Sequence, residues 1–129
     1  MVNNGNLLRQ ALLLDAMASG LMGIVMAAAP GFVAQLLNLP MGFVLYIGIF
    51  LIGFAAALLV LRRYPLPALV WLVIVGNAGW VLASIAILFT GLIAPNTLGI
   101  VVIAAQALAV AVFAELEFMG QRRTSAAVA

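Results

Sequence analysis

The sequence predicts an all-α integral membrane protein: a four-helix transmembrane bundle with both termini cytoplasmic and a short interfacial helix between spans one and two. Three observations predict it. Of the 129 residues, 68% are hydrophobic and only 6% charged, whereas soluble domains carry about 25% charged residues. Four apolar stretches each supply the about 20 residues of helix that a bilayer core requires. All five basic residues are arginines, and they fall on one side of the hairpins that those four stretches would make.

The spans follow one another through a single transmembrane domain, residues 1–129. The first covers residues 11–29 and stops at Pro30 and Gly31, the second covers 42–61 and stops at "RRYPLP", the third covers 68–90 and stops at "GLIAPN", and the fourth covers 97–118, before the polar tail "GQRRTSAAVA". Pro30, Pro40, Pro65, Pro67 and Pro95 all lie between spans, where a missing backbone donor breaks no helical ladder. The loop "PGFVAQLLNLP", residues 30–40, is long and mostly apolar. Phe32, Val33, Leu36 and Leu37 can share one face of a short helix, with Gln35 and Asn38 facing water; a lid over a substrate is the sharper alternative. Span one carries Asp15 and a single flanking arginine, and at about 19 residues it exceeds the usual apolar core of a leader. It therefore reads as a retained span.

Arg9 precedes span one, Arg62 and Arg63 join spans two and three, and Arg122 and Arg123 follow span four. The positive-inside rule places this side in the cytoplasm. Tyr64 and Trp71 stand at the same boundary, as interfacial aromatics do. The high isoelectric point thus expresses orientation, and no nucleic-acid partner is expected.

Several chemistries are excluded by residue type. There is no cysteine and no histidine, which removes thiol catalysis, disulfides and the commonest metal ligand. Lysine is absent as well, so there is neither a P-loop nor a Schiff-base amine. No serine has a base beside it in sequence, and the chain reads as a non-enzyme without metal or cofactor. Met22 and Met26 form an M-x-x-x-M pair of the kind that suits Cu(I), but without a methionine-rich terminus core packing is the plainer account.

Helices in lipid approach through small residues. Span one offers Ala16, Gly20, Gly23 and Ala27; span two Gly48, Gly53 and Ala57; span three Gly76, Gly79 and Ala83; span four Ala104, Ala107, Ala111 and Ala114. Against this apolar ground the polar residues stand out. At 1.5 Å per residue, Ser19, Asn77 and Gln106 fall near the midplane. Asn77, Trp80 and Ser84 share a face of span three, and Gln106 and Glu117 share one of span four. Asn77 and Gln106 are expected to meet, with Ser19 and the Trp80 indole nearby, either as interhelical glue or as a polar pocket. Asp15 lies about four residues inside the cytoplasmic edge on the face of Ser19. It is expected to join Glu115 or Glu117 in an ion-pair cluster with Arg9, Arg62 or Arg63. A carboxylate within a span is also a candidate proton carrier.

In size, and in placing an acidic residue, Asp15, in helix one, the chain is similar to the small multidrug resistance transporters. The aromatic pattern of that family is missing from spans one to three, and the arginine bias departs from dual topology. The "LD" and following glycines of span one, "NAGW", "APNTLG" and "AQ…FAELEF" more closely resemble a family of small uncharacterised bacterial four-span integral membrane proteins. That resemblance implies fold, topology and a bacterial inner (plasma) membrane, and no activity. The expected role is a non-catalytic inner-membrane protein, an accessory subunit of a membrane complex or a homo-oligomer, with the bilayer and a membrane protein or a second copy as partners. The alternative is a small proton-coupled transporter or ligand-binding protein using Asp15, Ser19, Asn77, Trp80 and Gln106.

Overall fold

A computed structural model describes the backbone of residues 4–128 and the side chains of residues 6–125. Five helices follow in order: α1 (Asn4–Ala28), α2 (Pro30–Leu37), α3 (Met41–Arg63), α4 (Pro67–Thr90) and α5 (Thr97–Val128). Four of them, α1, α3, α4 and α5, are long and apolar enough to cross a membrane.

The punctuation read from the sequence sits at the helix boundaries. Pro30 and Pro67 occupy the first turns of α2 and α4, where the ring's fixed φ suits a helix start. Asn38 ends α2 in the left-handed region at φ 56°, and Gly91 ends α4 at φ 76°, the usual way to release a helix C-terminus. The long loop is helical over Pro30–Leu37, with a different face inward from the expected one. Val33, Ala34 and Leu37 are buried, while Phe32 and Leu36 are exposed. Asn38 faces solvent yet ties the two loops of this end together, its Nδ2 donating to the Ala94 carbonyl at 2.6 Å. Asn96 completes the tie: its Nδ2 donates to the Leu36 carbonyl at 2.9 Å, and its Oδ1 caps α5 by accepting from the Gly99 amide at 2.8 Å.

α5 departs most from expectation. The tail after residue 118 continues the helix for about three more turns. The helix outlasts the apolar run, and around Gly120 it packs on the start of α1. A Cβ on Gly120 would lie 2.7 Å from the Leu8 amide nitrogen, and Gln121 is buried beside this contact.

Packing has a definite order. α1 packs on both α3 and α5, α5 packs on α4, and α3 and α4 scarcely meet along their backbones. The α1–α3 crossing is made by Gly23 and Gly48, each of which would drive a Cβ to within 2.8 Å of backbone on the other helix. Such close approach is how small residues join helices in lipid. Two apolar clusters result. One, at the arginine-bearing end, holds Leu8, Leu12, Leu58, Leu61, Val70 and Ile74. The other, under α2, holds Val33, Leu37, Leu39 and Val44. Between them lies the polar middle of the bundle.

Candidate functional site

Asp15 leaves α1, Asn77 leaves α4 and Glu117 leaves α5 at the junction of these three helices. All three side chains are sealed from solvent, with relative exposures of 1%, 4% and 0%. The Asn77 Nδ2 donates one hydrogen to Asp15 Oδ2 at 2.9 Å and one to Glu117 Oε1 at 2.8 Å. Ser19, one turn along α1, donates its hydroxyl to Asp15 Oδ1 at 3.1 Å.

The hydrogen-bond balance is short by one. These bonds satisfy three of the four carboxyl oxygens, and the fourth, Glu117 Oε2, is buried without a hydrogen-bond partner. An unmatched buried oxygen costs about 1–3 kcal/mol. Two like charges meeting on one nitrogen in a low-dielectric interior add repulsion to that. One proton on the pair would supply a donor and remove the second charge.

A second junction lies further along the same face of α4. The Trp80 indole nitrogen donates to Gln106 Oε1 at 2.8 Å, and Gln106 Nε2 donates to Ser84 Oγ at 3.0 Å and to the Ile103 carbonyl at 2.8 Å. Ser84 in turn donates to the Trp80 carbonyl at 2.7 Å. Every donor of this group is used.

Of the positions read from the sequence, the structure therefore unites Asp15, Ser19, Asn77 and Glu117 in one group and Trp80, Ser84 and Gln106 in another. Asn77 and Gln106 do not pair: the acids take both hydrogens of Asn77, and the indole takes the carbonyl of Gln106. The carboxylates gather around an amide in place of arginines. Arg62 Nε donates to the Arg9 carbonyl at 3.2 Å, Glu115 is exposed on the outer side of α5, and among the described residues Arg9, Arg62 and Arg63 form no ion pair with Asp15, Glu115 or Glu117. The geometric reason is direction. Asp15 and Glu117 point into the three-helix seam, whereas Arg9 and Arg63 are exposed and Arg62 turns to the Arg9 carbonyl.

Two features escaped the sequence reading. Gln121 is 2% exposed and donates to Ser125 at 3.2 Å; the i, i+4, i+8 spacing of Glu117, Gln121 and Ser125 was the available signal. The other is an aromatic ladder beside the acids. Phe50 stacks on Phe54 and on Trp80, each at 6.0 Å between ring centres, with interplanar angles of 9° and 11°. Asp15, Ser19, Asn77 and these three rings line a cavity of about 100 Å³, enough for several water molecules. A larger chamber of about 520 Å³ lies under α2, with Trp80, Ser84 and Gln106 at its inner end. Searches against protein-family models, curated proteins and solved structures return no match to this chain.

Proposed function

We propose that the chain is a small membrane carrier whose working element is the Asp15–Glu117 pair, a proton-binding site coupled to the cavity beside it. The observation that carries this reading is the unpartnered Glu117 Oε2 in a sealed seam, whose other members Asp15, Ser19 and Asn77 line the small cavity beside it. A purely structural seam gains nothing from two acids: leucine or a second amide would fill it at lower cost. Ionisable residues kept inside a membrane-spanning bundle mark ion and proton pathways. The pair shares one proton, and Asn77 bridges the two carboxyls through Asp15 Oδ2 and Glu117 Oε1.

In this reading the arginine-bearing ends face the cytoplasm by the positive-inside rule, and the protein resides in a bacterial inner membrane, as its resemblance to small four-span bacterial proteins implies. A second reading, self-association or docking on a larger membrane complex, draws on the outward stripe of α4. Gly79 on that stripe has nothing within 4 Å of a built Cβ, as a helix–helix contact surface would offer.

Infrared spectroscopy of the protein in lipid nanodiscs tests the first reading. A protonated-carboxyl stretch at neutral pH, lost in the Asp15→Asn/Glu117→Gln double variant, is the expected result. A spectrum with only ionised carboxylates at neutral pH would overturn it.

A further inference from the structure

The chamber under α2 takes wall residues from all five helices. Its volume of about 520 Å³ falls within the roughly 300–1,000 Å³ typical of small-molecule sites. None of the residues lining it is charged, and only Trp80, Ser84 and Gln106 bring a polar side-chain atom. α2 roofs it, and that roof is fastened on the side of the α4–α5 loop. The Asn96 amide donates to the Leu37 carbonyl at 3.1 Å, beside the side-chain ties of Asn38 and Asn96. The wall along α1 is open, because Leu21, Met22 and Val25 line the chamber and remain exposed. On a helix that spans a membrane this opening faces lipid. Met22 and Met26 stand there as unbranched thioethers, which adapt to an irregular apolar occupant.

A hydrocarbon chain gains little by leaving lipid for an apolar chamber, since lipid tails are as apolar as the side chains. Selection therefore falls to the polar inner end. An indole nitrogen only donates, so the Gln106 oxygen must face Trp80. Both hydrogens of Gln106 Nε2 and the hydrogen of the Ser84 hydroxyl are already placed. What remains is acceptor capacity, one lone pair on Gln106 Oε1 and one on Ser84 Oγ. An ether, ester or carboxylate brings acceptors alone and meets no free donor. An ammonium brings a charge, and no acid lines the chamber. A hydroxyl brings a hydrogen that has no partner among lipid tails and finds one here.

We infer that this chamber is a second binding site, for a neutral single-chain lipid alcohol. The alcohol enters past α1, lays its chain under α2 and donates its hydroxyl hydrogen to Gln106 Oε1. Ala18 and Met26 mark the extent of the lining on α1 and lie about 12 Å apart along the helix at 1.5 Å per residue, so the occupant has a chain of medium length. The site is distinct from the Asp15–Glu117 pair and does not depend on its protonation; Trp80 is a wall common to the chamber and the acid-side cavity.

The test uses the full chain in lipid nanodiscs, carrying Trp71→Phe so that Trp80 is the sole tryptophan. Decanol brominated next to its head group, the methyl ether of that alcohol and the matching brominated decanoate are added at equal mole fractions of the lipid. Contact of bromine with the indole is read as quenching of Trp80. The alcohol is expected to bind about three- to fivefold more tightly than the ether, the fold-change of one net hydrogen bond, with the decanoate weakest. Gln106→Leu removes the acceptor and frees the indole hydrogen for an acceptor ligand, so it is expected to bring the ether level with the alcohol. Ala18→Phe, at an exposed lining position, narrows the entrance and is expected to remove most of the quenching by the alcohol. Absence of quenching by the alcohol, an ether that binds as tightly in the parent, an alcohol preference that survives Gln106→Leu, or undiminished quenching in Ala18→Phe overturns the proposal.

Discussion

At Asn77 one amide serves two carboxyls from α1 and α5 and leaves one oxygen unmatched. One and two turns further along α4, at Trp80 and Ser84, an amide from α5 meets only neutral groups and has every donor placed. Both junctions are polar groups joining α4 to α5, the acid one buried and the neutral one half-buried. The difference lies in charge. The neutral junction is closed, so it contributes ordinary interhelical bonding of about 0.6 kcal/mol per bond. The acid junction is short of a hydrogen, so its state changes whenever a proton arrives or departs. A closed neutral junction and an incompletely bonded acid junction thus lie along a single helix face.

The sharpest way to break this comparison is to remove Asn77. In Asn77→Leu both carboxyls lose their shared donor, and thermal unfolding in detergent is expected to show a loss of about 3 kcal/mol. A change no larger than that of a single neutral bond would mean that the acids rest on other support.

Glu117→Gln and Asp15→Asn act in the opposite direction. Each replaces one carboxyl of the pair by a neutral amide, so that two acids no longer meet on Asn77. In thermal unfolding their stability is expected to match or exceed that of the parent by up to about 1 kcal/mol. A clear loss of stability in both would mean that the two carboxyls are structural supports of the seam instead.

At the neutral junction, Gln106→Leu removes bonds to Trp80 and Ser84 and is expected to cost about 1 kcal/mol, with the infrared carboxyl band unchanged. The smallest effect belongs to Ser19→Ala. It deletes a bond within α1 and is expected to cost about 0.5 kcal/mol in the same unfolding measurement; a loss as large as that of Asn77→Leu would make Ser19 a principal support of the acids.

Much of the architecture was legible beforehand, and the particulars explain why. The four long helices, the extra helix over residues 30–37 and the boundaries at Pro30, Pro67 and Gly91 all follow from local rules: transfer of side chains into lipid, the missing donor of proline and the free φ of glycine. Asp15, Ser19, Asn77, Trp80 and Gln106 were likewise identifiable, because a polar residue in an apolar run stands out by itself. Their pairing was not. Asn77 was expected with Gln106 and finds Asp15 and Glu117; Asp15 was expected with arginines and finds an amide. Gln121 was assigned to a polar tail and is buried against the start of α1.

The sequence by itself determined which segments are helical and apolar enough to span, and how deep each polar group lies along its helix. Both properties add up residue by residue along one helix axis. Only the tertiary structure decided which polar groups meet, because meeting depends on how each helix is rotated and where it crosses its neighbours. Those angles are set by a few close contacts, Gly23 on Gly48 and Gly120 on Leu8. A rotation of one residue, about 100° in a helix of 3.6 residues per turn, would carry Glu117 out of the seam.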